Sequence, residues 1–138
     1  MSKRILISGL GGSLFPYLHT KLIEAGYDPH YVDSNPVLKY VYPQFNFYPA
    51  PLVSDIQYRQ FIIDLCMQKD IGVYVPLIDE ELVNAVLLGK EMNGLKVLAP
   101  QTEFIQLCLD KFSLMKKLKE SNISDIPTSK GDTFSSQI

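Results

Sequence analysis

With 138 residues, 46% hydrophobic and 20% charged, the chain can form one compact domain burying about two-thirds of its unfolded surface, and it is neither disordered nor fibrous. A formal charge of −2 and no basic cluster beyond Lys116, Lys117 and Lys119, which fit a solvated helix face, argue against a nucleic-acid footprint. No apolar run approaches the ~18 residues that cross a bilayer, and Met1-Ser2-Lys3-Arg4 leads into a run too short for a signal-peptide core, so a cytoplasmic protein with no membrane partner is expected.

Lys3-Arg4-Ile5-Leu6-Ile7-Ser8 is an apolar strand that ends in the loop Gly9-Leu10-Gly11-Gly12-Ser13 and changes at once to helical spacing from Leu14 to Ala25. That order is the strand, turn and helix start of a nucleotide-type α/β unit, whose glycines let a polar or anionic ligand approach bare backbone. Ser13 is the expected cap, Leu14, Leu18 and Leu22 the buried stripe, Pro16 a tolerated first-turn proline and Gly26 the stop. Pro29 to Asp33 reads as a second strand ending in an acid. An acid about 20 residues past such a glycine loop takes ribose hydroxyls in dinucleotide-binding folds.

Asn35-Pro36 starts a turn, and Asn46 to Tyr48 reads as a short third strand among the aromatics Tyr40, Tyr42, Phe45, Phe47 and Tyr48, which are packing or ligand-stacking residues. Ser54 and Gln57 predict a capping box for a helix from Asp55 to Lys69, with Tyr58, Phe61, Ile62, Leu65 and Cys66 on its apolar face. Val73 to Ile78 is a nearly all-apolar fourth strand running into Asp79-Glu80-Glu81, and Leu82, Val83, Val86 and Leu87 follow on a helix. Lys96 to Ala99 is a fifth strand, Thr102 a cap for a helix through Leu109, and Asp110 a cap for Lys111 to Glu120. Cys66 and Cys108 fall at apolar helical positions and read as reduced core thiols. His19 and His30 lie at no metal-ligand spacing from them, so no metal site is expected.

Alternating strands and helices with short connections predict an α/β fold: a Rossmann-like open parallel five-stranded sheet with helices on both faces. Ligands gather at the C-terminal strand edge of such sheets, where Gly9, Gly11, Gly12, Asp33, Asp79, Glu80 and Glu81 all map. Singly each signal is weak. The loop is Gly-x-Gly-Gly rather than the full dinucleotide pattern, Asp79 also fits a helix cap, and Glu80 and Glu81 also fit partners of a helix dipole. No serine, cysteine and histidine arrangement points to a nucleophile, so no catalytic residue is assigned.

Ile5 to Gly12, Val32-Asp33-Ser34-Asn35-Pro36, Val75-Pro76-Leu77-Ile78-Asp79-Glu80-Glu81-Leu82 and Leu109-Asp110-Lys111-Phe112, in this order and spacing, resemble the N-terminal part of ATP-grasp ligases. The nearest likeness is to proteins similar to the carbamoyl-phosphate synthase large subunit. The resemblance implies a pre-ATP-grasp domain over residues 1–110 and the beginning of an ATP-grasp domain over 111–138, with Ser124 to Thr128 as its first strand. It implies a carboxylate–amine ligase that consumes ATP with magnesium in the parent enzyme, neither held tightly by this chain alone. Gly9, Gly11, Gly12, Asp33, Asp79 and Glu80 would then border a small carboxylate or amine substrate. Lys111 would reach the nucleotide phosphates, against the alternative of a surface lysine. The further lysine, glycine-rich loop and magnesium ligands of that fold do not follow Lys111, so the chain is expected to be inactive alone. Two other readings compete: a stand-alone nucleotide-binding module or NAD-dependent oxidoreductase half using the glycine loop and Asp33, and a partner-docking domain presenting Tyr40 to Tyr48.

Overall fold

The computed structural model describes residues 2–124, 126 and 127. The chain divides into two compact units, Met1–Ala99 and Pro100–Ile138. The first holds five parallel strands, β1 (Arg4–Ser8), β2 (Asp28–Asp33), β3 (Asn46–Pro49), β4 (Val73–Val75) and β5 (Lys96–Val97), in the order β3-β2-β1-β4-β5. Four helices connect them: α1 (Phe15–Glu24), α2 (Leu38–Val41), α3 (Tyr58–Gln68) and α4 (Leu82–Glu91). The second unit contains α5 (Thr102–Leu109) and α6 (Lys111–Glu120), which contact each other. Thus α5, grouped with the first unit in the expected 1–110 domain, clusters with α6. Ser124, Ile126 and Pro127 form no strand, while Asp125 and Thr128 of the expected ATP-grasp strand lie outside the described residues.

The expected parallel sheet with helices on both faces is the one that forms, and strand alternation explains why. Ile5, Ile7 and Tyr31 point to one face and pack with Phe15 of α1 and Leu38 of α2. Leu6, Val32 and Tyr74 point to the other and pack with Ile62, Leu65 and Cys66 of α3 and Ala85 and Leu88 of α4. Leu6 and Val32 are wholly buried, each worth about 2 kcal/mol in transfer alone. Because β1 sits between β2 and β4, successive connections leave it in opposite directions. Its C-terminal end is the switch point where such sheets open a crevice.

Several local expectations are corrected. Ser13 makes no cap, since the helix start falls at Leu14 in helical conformation without a side-chain bond. Leu14 is exposed and Phe15 takes its place in the core, with Leu18 and Leu22 half-buried. The Ser54–Gln57 box does not form: Asp55 Oδ1 accepts from the Gln57 amide at 2.8 Å, holding a turn that delays α3 to Tyr58. Thr102 is already helical and Gln101 stands at the cap. Asp110 does cap α6, accepting from the amides of Phe112 and Ser113, both at 3.1 Å. The fourth strand stops at Val75 instead of Ile78, because Pro76 has no amide to donate and the next two amides turn aside. Leu77 donates to Ser8 Oγ at 2.8 Å and Ile78 to Glu81 Oε1 at 3.2 Å.

Candidate functional site

A cleft of about 450 Å³ opens at the C-terminal edge of the sheet, within the first unit. Val32, Asp33 and Ser34 at the end of β2 form one side. The segment from Ala50 to Ser54 leading to α3 forms a second, and Ile78 and Glu80 between β4 and α4 with Asn84 in the first turn of α4 form a third, with Tyr58 of α3 completing the wall. Apolar groups dominate, and the polar ones are two carboxylates, two serine hydroxyls, one amide and the tyrosine. Among the described residues no lysine, arginine or histidine lines it.

Asp33 is placed by the local chain. Its Oδ1 accepts from the Asn35 amide at 2.9 Å, and Asn35 Oδ1 in turn accepts from Val37 at 3.1 Å, a pair of Asx turns that leads into α2. Its Oδ2 accepts from the Gly11 amide at 3.3 Å. The glycine loop therefore spends a ligand-facing donor on the chain's own acid. Gly9, with φ +78°, holds a conformation costly for other residues, and its amide donates to the Val32 carbonyl at 3.0 Å. Gly12 lies against Phe15, where a Cβ would stand 3.2 Å from the ring.

The structure thus brings Asp33 and Glu80 into one cleft and ties Gly11 to it through Asp33. Gly9 adjoins it through Ile78, 3.4 Å from where its Cβ would be. Asp79 is exposed and is not among the cleft residues. Lys111 is an exposed residue in the first turn of α6, in the second unit. His19 and His30 do other work: His19 Nδ1 pairs with Tyr31 OH at 3.0 Å, and His30 bridges Tyr48 OH and Asp28.

The acid that the sequence pattern undervalues is Glu81. It is not a solvent-facing dipole partner but is 1% exposed. Its Oε1 accepts from Ser8 Oγ and the Ile78 amide, and its Oε2 from Tyr58 OH and from Tyr74 OH at 2.5 Å. Glu81, rather than Asp79, caps the short 3₁₀ turn Asp79–Glu81 that precedes α4. Burial and the adjacent carboxylate push both tyrosines far above the ordinary phenol range, so both remain neutral donors. A signal for this was present. Glu81, Ala85 and Leu88 share one helical face, Tyr58 stands on the apolar face of α3 with Ile62 and Leu65, and Tyr74 lies between two valines in β4.

A scan against protein-family models and a search of curated proteins give no match. A solved structure does match. It is the biotin carboxylase domain of a thermophilic 2-oxoglutarate carboxylase, bound to ADP without magnesium, with a TM-score of 0.66 and 18% identity. The alignment covers 95% of this chain and 30% of that one. The likeness shows the fold, a Rossmann-like open parallel α/β sheet shared with part of that domain.

Proposed function

We propose that the chain is the substrate-side module of an ATP-dependent ligase that joins a carboxylate to an amine, resembling carbamoyl-phosphate synthase-like proteins and inactive by itself. The observation that carries this reading is the extent of the likeness: nearly the whole chain aligns with less than a third of an enzyme domain bound to ADP. The cleft beside the switch point adds support, since that edge is where an open parallel sheet offers a ligand site. In this reading Asp33 and Glu80 face the substrate, Gly9, Gly11 and Gly12 shape the rim, and Asp79 adds charge near the turn that carries Glu80.

ATP with magnesium would supply the phosphoryl group that activates the carboxylate. Among the described residues no three His, Cys, Asp or Glu side chains converge as a metal site. Lys111 is the residue this reading sets toward the nucleotide phosphates, and the other nucleotide contacts belong to the rest of a longer enzyme. Among the described residues no helix is long and apolar enough to cross a membrane, consistent with action on small molecules in the cytoplasm.

The test is to read the coding frame past Ile138 and to assay the purified 138-residue chain with ATP and magnesium. A frame that continues into a glycine-rich loop, a further lysine and late Glu and Asn residues, with no ADP release by the chain alone, is the expected result. A stop codon after Ile138, or ATP-dependent ligation by the chain itself, overturns the reading. The second reading, a nucleotide-binding module, is favoured by Asp33 at the tip of β2. Saturable NADH binding that Asp33→Ala weakens would select it instead.

A further inference from the structure

We infer that the cleft receives the amine partner of the ligation, as an ammonium cation on an apolar body, and rejects carboxylates and phosphates. The amine's role as the ligase's nucleophile, which it takes only after the ammonium gives up a proton to a carboxylate or to solvent, rests on the proposed function; the preference for a cation rests on the cleft alone.

Three observations lead there. First, among the described residues the charged groups lining the cavity are the carboxylates of Asp33 and Glu80, with no cation beside them. A carboxylate or phosphate brought between them meets like charge in a partly closed space, where screening by water is weakened. An ammonium meets two acceptors and forms charge-assisted hydrogen bonds.

Second, two devices by which this kind of fold holds anions are taken by the chain's own acids. The Gly11 amide, a donor of the loop that would face a phosphate, donates to Asp33 Oδ2. At the turn entering α4, the Ile78 amide donates to Glu81 Oε1, and Asp79, Glu80 and Glu81 crowd the helix start. The favourable end of that helix dipole is thereby already matched with negative charge. An incoming anion finds carboxylates where it needs amides.

Third, the cavity has room and a wall for more than ammonia. Its volume of about 450 Å³ falls in the ~300–1,000 Å³ range of small-molecule sites. Pro51, Leu52, Val53 and Ile78 supply an apolar surface, while Ser34 and Asn84 place neutral polar groups at the rim. A primary amine on a hydrocarbon or aromatic body satisfies both halves of that lining.

The experiment uses the 138-residue chain and two probes of similar size, benzylamine and benzoate, with the larger adenosine as a third, followed by amide chemical shifts and calorimetry at neutral pH. Benzylamine is expected to shift the amides of Ser34, Val53 and Asn84 saturably, with benzoate at least about tenfold weaker, the equivalent of one charge-assisted contact. Glu80→Gln should weaken benzylamine by about tenfold and narrow the gap to benzoate. Asp33→Asn should do the same, but it also alters the bond to Gly11. Glu80 is exposed and makes the cleaner test. Benzoate binding as tightly as benzylamine, no benzylamine binding, or no effect of Glu80→Gln overturns the inference. Adenosine binding in place of benzylamine overturns it in favour of a ribose site. The outcomes separate from those of the ligase reading: a chain that belongs to no ligase would still prefer the cation, and a ligase module that prefers benzoate would keep its function with the cleft reassigned.

Discussion

On the α1 side of the sheet the core is closed by rings. Phe45 stacks on His19 at 4.0 Å, on Tyr42 at 4.9 Å and on Tyr31 at 5.1 Å, and Phe15 meets Tyr31 edge-on. On the α3 side it is closed around a carboxylate, with Ser8, Tyr58 and Tyr74 donating to Glu81. Stacked rings tolerate small shifts because each contact is weak and broad. A buried carboxylate does not, because each donor it loses is stranded out of reach of water. The cleft opens on the side whose backbone is fixed by the second kind of packing, and Glu80 is the residue next to the anchor.

The sharpest way to break this contrast is to remove one member from each side. Glu81→Leu leaves three hydroxyls and an amide without their acceptor and should cost about 3 kcal/mol or more, whereas Phe45→Leu should cost only about 1 kcal/mol. Urea unfolding of the two variants measures both. Near-equal losses would show that the carboxylate network is no stiffer than the ring stack.

A second contrast is in pH. Tyr58 and Tyr74 are raised above the phenol value by burial and by Glu81, and Tyr31 by burial. A raised folded-state value means that stability is complete below pH 10 and falls as pH climbs beyond it, by up to about 1.4 kcal/mol per pH unit for each tyrosine. His19 runs the other way. Burial lowers it, so its neutral form is favoured and its contribution is present above pH 6.5 and lost as pH falls. Stability measured against pH should show that Tyr74→Phe softens the alkaline limb. His19→Asn should soften the acid limb. A Tyr74→Phe variant with an unchanged alkaline limb would refute the assignment.

The smallest effect concerns the thiols. Cys66 is buried beneath α3 and its thiol is pushed up to about 12, while Cys108 is half-buried in α5. Since the thiolate is the reactive form, a thiol reagent at pH 8 should label Cys108 first and Cys66 only on unfolding, as read by mass spectrometry of timed samples. Equal labelling rates would mean that the α3 face opens far more readily than its packing implies.

The five strands and most of the helices were legible because their periodicity reports burial directly: Ile62, Leu65 and Cys66 repeat at helical spacing, and Val73 to Val75 form an unbroken apolar run. The ends were less legible. Ser13, Ser54 and Thr102 had the chemistry of caps but not the position: Leu14 stands at the start of α1, the Asp55 turn delays α3 to Tyr58, and Gln101 stands at the start of α5. α2 was missed because it depends on two Asx turns, at Asp33 and Asn35, with too few residues for a stripe. Of the candidate site, Asp33 and Glu80 were visible as acids at strand ends. Ser34, Ser54, Tyr58 and Asn84 were not, because the cleft gathers them from four separate segments and no spacing connects them. Glu81 looked like its neighbours in sequence, and only its place on the Ala85 and Leu88 face sets it apart.

That placement has a consequence for how this sequence can change. Positions 8, 58, 74 and 81 form one unit of substitution. Replacing any single member strands the others, whereas exchanging all of them for well-packed apolar side chains can be close to neutral, as for other buried ionic groups. The route between those two solutions passes through unstable intermediates, so single substitutions at any of these four positions are expected to be the least tolerated step.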